Sequence, residues 1–371
     1  MTNRQLPDFL TAENDLDGQE PVYIAQGGKT RKTLLSKIKE FIIGTTELTT
    51  TDKSISGAIE EVKEIADNNT TQLNHLANPS ILINGDFRNP VNQRKTESIS
   101  STGTSVEGYF IDRWLCLVNG QGNSVVKNEG FISLIGKKGT SCSQCRQFVE
   151  FPKMYRGKNV AISFKYRVSK GRDKNNVRIY SNVKGIDNPW IFNDTLIPDG
   201  EWHIYNKILS IPNSDSITGF APIWISCINI DFNTSQEYPL TEDCQIDVEW
   251  VKSEIGNKVT PFVPRLYGEE LALCRRYGIG FKNERPRFRA DAVNGNQLIF
   301  FIPLTTMLRI SPTTTDCFTI NSLNGSGIEG FTFTVVNCPN GIIVNANKTS
   351  HGMSDGQLMI KDNAFIDSEI Y

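Results

Sequence analysis

Apolar and small residues recur along Ser54–Leu76 at Ile55, Ile59, Val62, Ala66, Leu73 and Leu76, with Asn69 in the one gap. The spacings alternate between four and three, which is a heptad seam. Glu60, Glu61, Glu64 and Asp67 fall on the other side. The pattern predicts a helix of about 33 Å at 1.5 Å per residue, and a lone helix is marginal in water. Two burials are open to the seam: copies of the same chain in a coiled coil, or the helix's own domain. Ile65 widens the stripe, and Ile and Val crowd its first half, which favours three strands over two. The helix should stop at Ala77 or Asn78, because the residue before Pro79 disfavours helical backbone.

Before this helix, residues 1–50 read as a small polar unit. Pro21–Ala25 is strand-like, Gly27-Gly28 is a turn, and Leu34, Leu35, Ile38, Phe41 and Ile42 give Thr30–Ile42 a helical face. Gly28-Lys29-Thr30 suggests a phosphate loop, but Tyr23 stands where that motif needs its first glycine. Nucleotide binding is therefore not expected. The basic run Lys29, Arg31, Lys32, Lys37 and Lys39 is a solvated face or a surface for an acidic docking partner. A threonine-rich linker, Gly44–Asp52, follows.

After Pro79 the period changes. Short alternating or β-rich segments run from Ile81–Ile83 to Cys244–Val251, separated by Gly, Asn, Pro and Asp clusters. They predict an antiparallel sandwich over 80–265. Pro261-Phe-Val-Pro breaks the pattern, Glu269–Tyr277 reads as a short helix, and further strand-like runs predict a second, smaller sandwich over 266–371. The expected fold class is mainly β: an N-terminal anchor unit, a trimeric coiled coil over 53–77, a β-sandwich and a C-terminal β domain.

Composition narrows the function classes. With 38% hydrophobic and 22% charged residues and a net charge of -2, the chain offers no field to gather nucleic acid or anionic lipid. No apolar run approaches a membrane span, and the N-terminus lacks the apolar core of a secretory signal. Synthesis in a cytoplasm, no nucleic acid and no membrane insertion are expected. Of eight cysteines, Cys142 and Cys145 form a CxxC with no second pair or nearby histidines to complete a zinc site. It lies between strand-like segments rather than opening a helix. Free thiols are expected, with a late disulfide as the alternative. His75, His203 and His351 lie far apart, and no nucleophile elbow or HExxH appears. No enzyme is expected, although a carboxylate pair cleaving glycosidic bonds stays open.

Ile81-Leu-Ile-Asn-Gly-Asp-Phe87, Tyr109-Phe-Ile-Asp-Arg-Trp114 and Ile246-Asp-Val-Glu-Trp-Val251 occur in that order. Together they resemble the jelly-roll, carbohydrate-binding-module-like sandwich of tailed-phage tail fibres and receptor-binding virion proteins. Glu254–Tyr277 resembles the junction that follows that sandwich. Residues 7–44 resemble virion-attachment segments, and Asp362–Tyr371 is similar to the end of such fibres. The resemblance implies a homotrimer, a virion location, attachment to other virion proteins through residues 1–50, and adhesion to host-surface glycan. It leaves a non-adhesive head or collar appendage and a polysaccharide depolymerase as alternatives; the long β-helix of depolymerising fibres is not visible as a repeat. Asn69 would then form a polar layer in the trimer, or a tolerated defect that fixes register.

Sugar binding needs aromatic faces for the ring and amides or carboxylates for its hydroxyls. Trp114, Trp224 and Trp250 lie in strand-like runs and read as core. Trp190 and Trp202 lie near turns and are the candidate platforms, with Tyr155, Arg156 and His203 able to frame them. The resemblance also places Asp86 and Asp247 where such modules hold a structural calcium, oxygen ligands being suited to it. The alternative is turn capping by Asp86 and a solvated Asp247.

Overall fold

A computed structural model of the chain describes residues 19, 21–26, 29–34, 36–38, 51, 55–75, 77–281, 286–312, 316–321, 327–353, 356–361 and 364–369. Contacts divide it into two units, Met1–His75 and Leu76–Tyr371.

In the first unit β1 (Pro21–Gln26) pairs antiparallel with β2 (Lys29–Leu34), Pro21 opposite Leu34 and Gln26 opposite Lys29. The helix expected from Thr30 is thus a strand as far as Leu34. Pairing with β1 satisfies the backbone of a segment whose helical face was short and whose threonines suit a strand. Residues 36–38 are helical, and most of the anchor segment 1–50 lies outside the described residues. The heptad segment is a helix, α1 (Ile55–His75). Ile59, Val62 and Ile65 are 64%, 58% and 53% exposed, and Ala66 and Asn69 are exposed too. Leu76 and the side chains of Ile55 and Leu73 lie outside the described residues.

The second unit is mainly β. Its first part carries β3 (Ser98–Ser100), β4 (Val106–Tyr109), β5 (Leu115–Asn119), β6 (Ser124–Lys127), β7 (Ile132–Gly136), β8 (Cys142–Arg146) and β9 (Asn159–Lys170). β10 (Val177–Lys184), β11 (Trp190–Thr195), β12 (Trp202–Ser210), β13 (Gly219–Asp231), β14 (Gln236–Tyr238) and β15 (Cys244–Ile255) complete it. They form two antiparallel sheets, in the orders β11-β10-β13-β8-β5-β4 and β12-β9-β15-β7-β6-β3. Strands adjacent in sequence, such as β7 and β8, lie in opposite sheets, so the chain crosses the sandwich repeatedly. Alternation along β9 and β15 sends Ile162, Phe164, Ile246 and Val248 inward to meet Ile179, Phe220, Ile223 and Ile225 from the other sheet. Each large side chain buried this way contributes about 2–3 kcal/mol of transfer free energy.

The sequence motifs converge at one end of this sandwich. Asn84 sits in left-handed backbone (φ 60°). Its amide donates to the Val91 and Asp112 carbonyls at 2.8 Å each and accepts from the Val91 N–H, while its own carbonyl accepts from Trp114 Nε1 at 2.7 Å. Asparagine tolerates that backbone because its short amide bonds locally. Next to it only glycine fits at position 85, since any Cβ would strike the Val251 carbonyl. The Ile81–Phe87 and Tyr109–Trp114 segments are therefore two halves of one polar knot. The junction is tied down likewise: Lys252 Nζ, 2% exposed, meets Glu254 at 3.2 Å and Thr260 Oγ1 at 2.6 Å. Trp250 stacks flat on Phe262 at 4.6 Å. Trp250 is buried as expected, but under the junction on the outside of its sheet rather than in the central core.

After the junction come α2 (Tyr267–Arg275), β16 (Gly278–Gly280), β17 (Arg287–Arg289), β18 (Ala292–Asn294), β19 (Gln297–Pro303) and β20 (Phe318–Asn321). They are followed by β21 (Gly327–Ile328), β22 (Thr332–Cys338), β23 (Gly341–Asn347), β24 (Gln357–Ile360) and β25 (Phe365–Asp367). Sheets β17-β24-β20-β21 and β18-β19-β23-β22 enclose a second core around Phe300, Ile320, Val344 and Leu358. The two β parts have separate cores and lie in one compact unit. Ile83 and Val91 pack with Cys274 and Tyr277 across the join. Arg113, also left-handed (φ 73°), ion-pairs with Glu369 and lies 3.6 Å from the Tyr277 ring centre. Arg94 holds Asp367 at 2.8 Å and Glu369 at 3.4 Å. β25 thus returns along β16 to the sandwich.

Candidate functional site

The outer face of the β11-β10-β13-β8-β5-β4 sheet carries an aromatic cluster. On β13, Ile223 and Ile225 point into the core, so Trp224 between them points out. Tyr180 of β10 stands beside it at 5.1 Å, and Trp190 of β11 at 5.7 Å. Phe232, just past β13, closes the group at 5.1 Å from Tyr180 and 5.7 Å from Trp190. Edge and tilted pairs of this kind each add about 0.5–1.5 kcal/mol beyond area burial. Tyr180 is fully buried among its neighbours, which pushes its phenol pKa up. Trp190 and Trp224 are each half-buried.

Polar groups surround the two tryptophans. Trp224 Nε1 donates to Gln144 Oε1 at 2.9 Å. The Arg146 guanidinium lies 4.2 Å over the Trp224 ring and pairs with Glu107. Trp190 Nε1 donates to Ser235 Oγ at 3.3 Å. Alongside Phe232 an open hollow of about 380 Å³ is lined by Arg178, Asn193, Asn229, Asp231 and Asn233. Burial lowers the Arg178 pKa, with Asp173 and Asp194 acting against that. Aromatic rings beside amides and two guanidiniums, Arg146 and Arg178, are groups that suit a polyhydroxylated ring: its C–H face can pack on exposed aromatic edges, and its hydroxyls can take the amides.

The other predicted site residues do not join this face. Trp202 lies on the outer face of the opposite sheet, with Arg167 4.8 Å and Lys165 5.4 Å from its ring. His203 follows it in β12 and turns the other way, bonding Asp199 at 2.9 Å and leaning on Tyr166. Tyr155 ends a single 3-10 turn, Pro152–Tyr155, and packs on Phe220 in the core. It frames no surface. Trp224, read as core, belongs to the outward cluster instead. The signal was available: one-in, one-out alternation across Pro222–Ser226 puts Trp224 opposite to Ile223 and Ile225.

Asp86 and Asp247 do not present a calcium-binding donor set. Asp86 takes Arg88 Nε at 2.7 Å and Nη2 at 3.1 Å. Asp247, 1% exposed, takes Arg167 at 2.8 and 3.1 Å, plus Ser133 and Gln245 at 2.7 Å. A guanidinium already supplies each carboxylate's positive charge. Among the described residues no group of three or more His, Cys, Asp or Glu is placed to hold a metal. All eight cysteines are free thiols. Cys142 and Cys145 lie on opposite faces of β8, one in the outward cluster and one in the core, so the CxxC does not close on itself. Among the described residues no helix is long and apolar enough to cross a membrane.

The sequence matches no known protein-family model and no curated protein. Solved structures with some likeness include a CBM4 carbohydrate-binding module, at 10% identity and TM-score 0.28 over 39% of this chain and 95% of the module. Another is the tripod (BppUct-A-L) from the baseplate of bacteriophage Tuc2009, at 13% identity and TM-score 0.27 over 61% of this chain and 88% of the other. A third is the Stig cyclase Fisc from Fischerella sp. TAU, at 12% identity and TM-score 0.31 over 49% and 98%. Likeness at this level carries no argument about function. The fold and site define a mainly β protein of two joined sandwich-like modules with an outward aromatic face.

Proposed function

We propose that this chain is a fibre protein of a tailed-phage particle, adhering to host-surface glycan through the Trp190–Trp224 face. Three chains assemble along α1, and residues 1–50 dock on other virion proteins. The observation that carries adhesion is the half-buried tryptophan pair with Gln144 and Asn193 on the same face. The exposed stripe of Ile59, Val62 and Ile65 supports assembly, because such a stripe is stabilised by burial against copies of itself. Three weak sites on one particle then add through effective concentration. The virion setting rests on the sequence motifs. No catalytic role is proposed.

The test is a glycan array probed with full-length protein whose trimeric state is first checked by light scattering. Retention of particular glycans, lost in Trp224→Ala at unchanged oligomeric state, supports the reading. A verified trimer that retains no glycan points to a non-adhesive appendage, and release of reducing sugar from a bound glycan points to a depolymerase. A single folded chain in solution removes the fibre.

A further inference from the structure

Cys116 and Cys145 are direct register partners on neighbouring strands β5 and β8. Antiparallel partners have Cα atoms about 4.5–5.5 Å apart, inside the range that disulfides span. Both side chains point into the core, and their sulfurs are 3.1 Å apart. We propose that Cys116 and Cys145 are an oxidation site: a small-molecule disulfide converts this thiol pair to a cystine that staples β5 to β8.

The chemistry balances as two exchanges. One thiolate attacks the small disulfide, forming a mixed disulfide and releasing one small thiolate. The second protein thiolate attacks the protein sulfur of that intermediate, forming the Cys116–Cys145 bond and releasing the other. The two protons from the protein thiols end on the two small thiols. The oxidant gains two electrons, and the cysteine pair loses them. The sulfurs then need only about 1 Å of approach to reach bonding distance.

Both thiols are buried, and burial pushes the Cys116 pKa up, so the closed sheet reacts slowly. The way in is the sheet edge. β5 lies next to the outermost strand, β4, which is four residues long and among the described residues pairs only with β5. Among the thiols the fold brings near one another, Cys227 and Cys244 come from opposite sheets and are not register partners. Cys142 faces the other way from Cys145.

The test treats full-length protein with oxidised glutathione in two arms: folded protein, and protein refolded from denaturant in the same buffer. Denatured samples are then alkylated and mapped by mass spectrometry. The expected product has lost two hydrogens and yields a Cys116–Cys145 cross-linked peptide. Its thermal midpoint rises by about 5 °C, from a closed loop of this length in a domain of this size. Cys145→Ala should lose both the cross-link and the shift. A cross-link in the refolding arm alone supports the site but overturns the edge route. Alkylation of both cysteines in both arms, or a cross-link that maps to Cys227–Cys244 or to Cys142, overturns the proposal.

Discussion

The same trio of side chains occurs twice in this molecule. At the join between the two β modules, Arg113 lies 3.6 Å from the Tyr277 ring centre and pairs with Glu369. On the outer sheet face, Arg146 lies 4.2 Å from the Trp224 ring and pairs with Glu107. The chemistry is alike, and the surroundings differ. Arg113 and Glu369 side chains are 2% and 1% exposed, whereas those of Arg146 and Glu107 are 11% and 48% exposed. A buried pair that loses one member strands a charge away from water; a rim pair that loses one is rescued by solvent. The first trio is therefore a fastening. The second is a rim contact whose partners exchange with solvent, as the proposed binding face requires.

The largest effect should come from breaking the fastening. Glu369→Ala leaves the Arg113 guanidinium unpaired and should cost about 3–5 kcal/mol in urea unfolding. A loss under 1 kcal/mol would mean water reaches the join. Next, Trp224→Ala should weaken glycan binding at least about tenfold, close to 1.4 kcal/mol, read by calorimetry on an array-identified glycan. Unchanged binding would move the site off this face.

A smaller effect concerns acid. Asp112 faces Gln93 and Arg94 from its own module, and Cys274 of α2 and Glu369 from the second. Burial pushes its pKa up to about 6, opposed by the Gln93 hydrogen bond and the Arg94 charge. Burial raises Glu369 as well. A raised carboxyl pKa means the folded state binds the proton more readily than the unfolded one. That stability is fully present below the ordinary carboxyl range and fades as pH rises through 6. Stability should thus increase by about 1 kcal/mol between pH 7 and pH 5 on account of Asp112. Asp112→Asn should remove that increment, and an unaltered pH profile in the variant would assign it elsewhere. The smallest effect is at Glu107. Glu107→Ala should cost under about 1 kcal/mol of stability, and any larger loss would make the rim trio a fastening after all.

The sequence carried local features better than distant ones. The heptad helix, the two β blocks and the core position of Trp114 were legible because each is written in neighbouring residues. Trp224 was legible by alternation but overridden by its apolar neighbours. Trp250 was obscured by a register shift between Val248 and Trp250, which breaks the period. Tyr155 owes its burial to Phe220, and Arg113 owes its partner to a residue 256 positions away. Neither relation leaves a local trace. The β2 strand hides behind a weak helical face that hairpin pairing with β1 outweighs.

The return of β25 to the sandwich gives residues 365–369 an influence out of proportion to their number. Deleting residues 365–369 would strip β16 of its partner strand among the described residues and take away the Glu369 anion that meets both Arg94 and Arg113. A protease site engineered between β24 and β25 therefore offers a way to set the distal module adrift on demand.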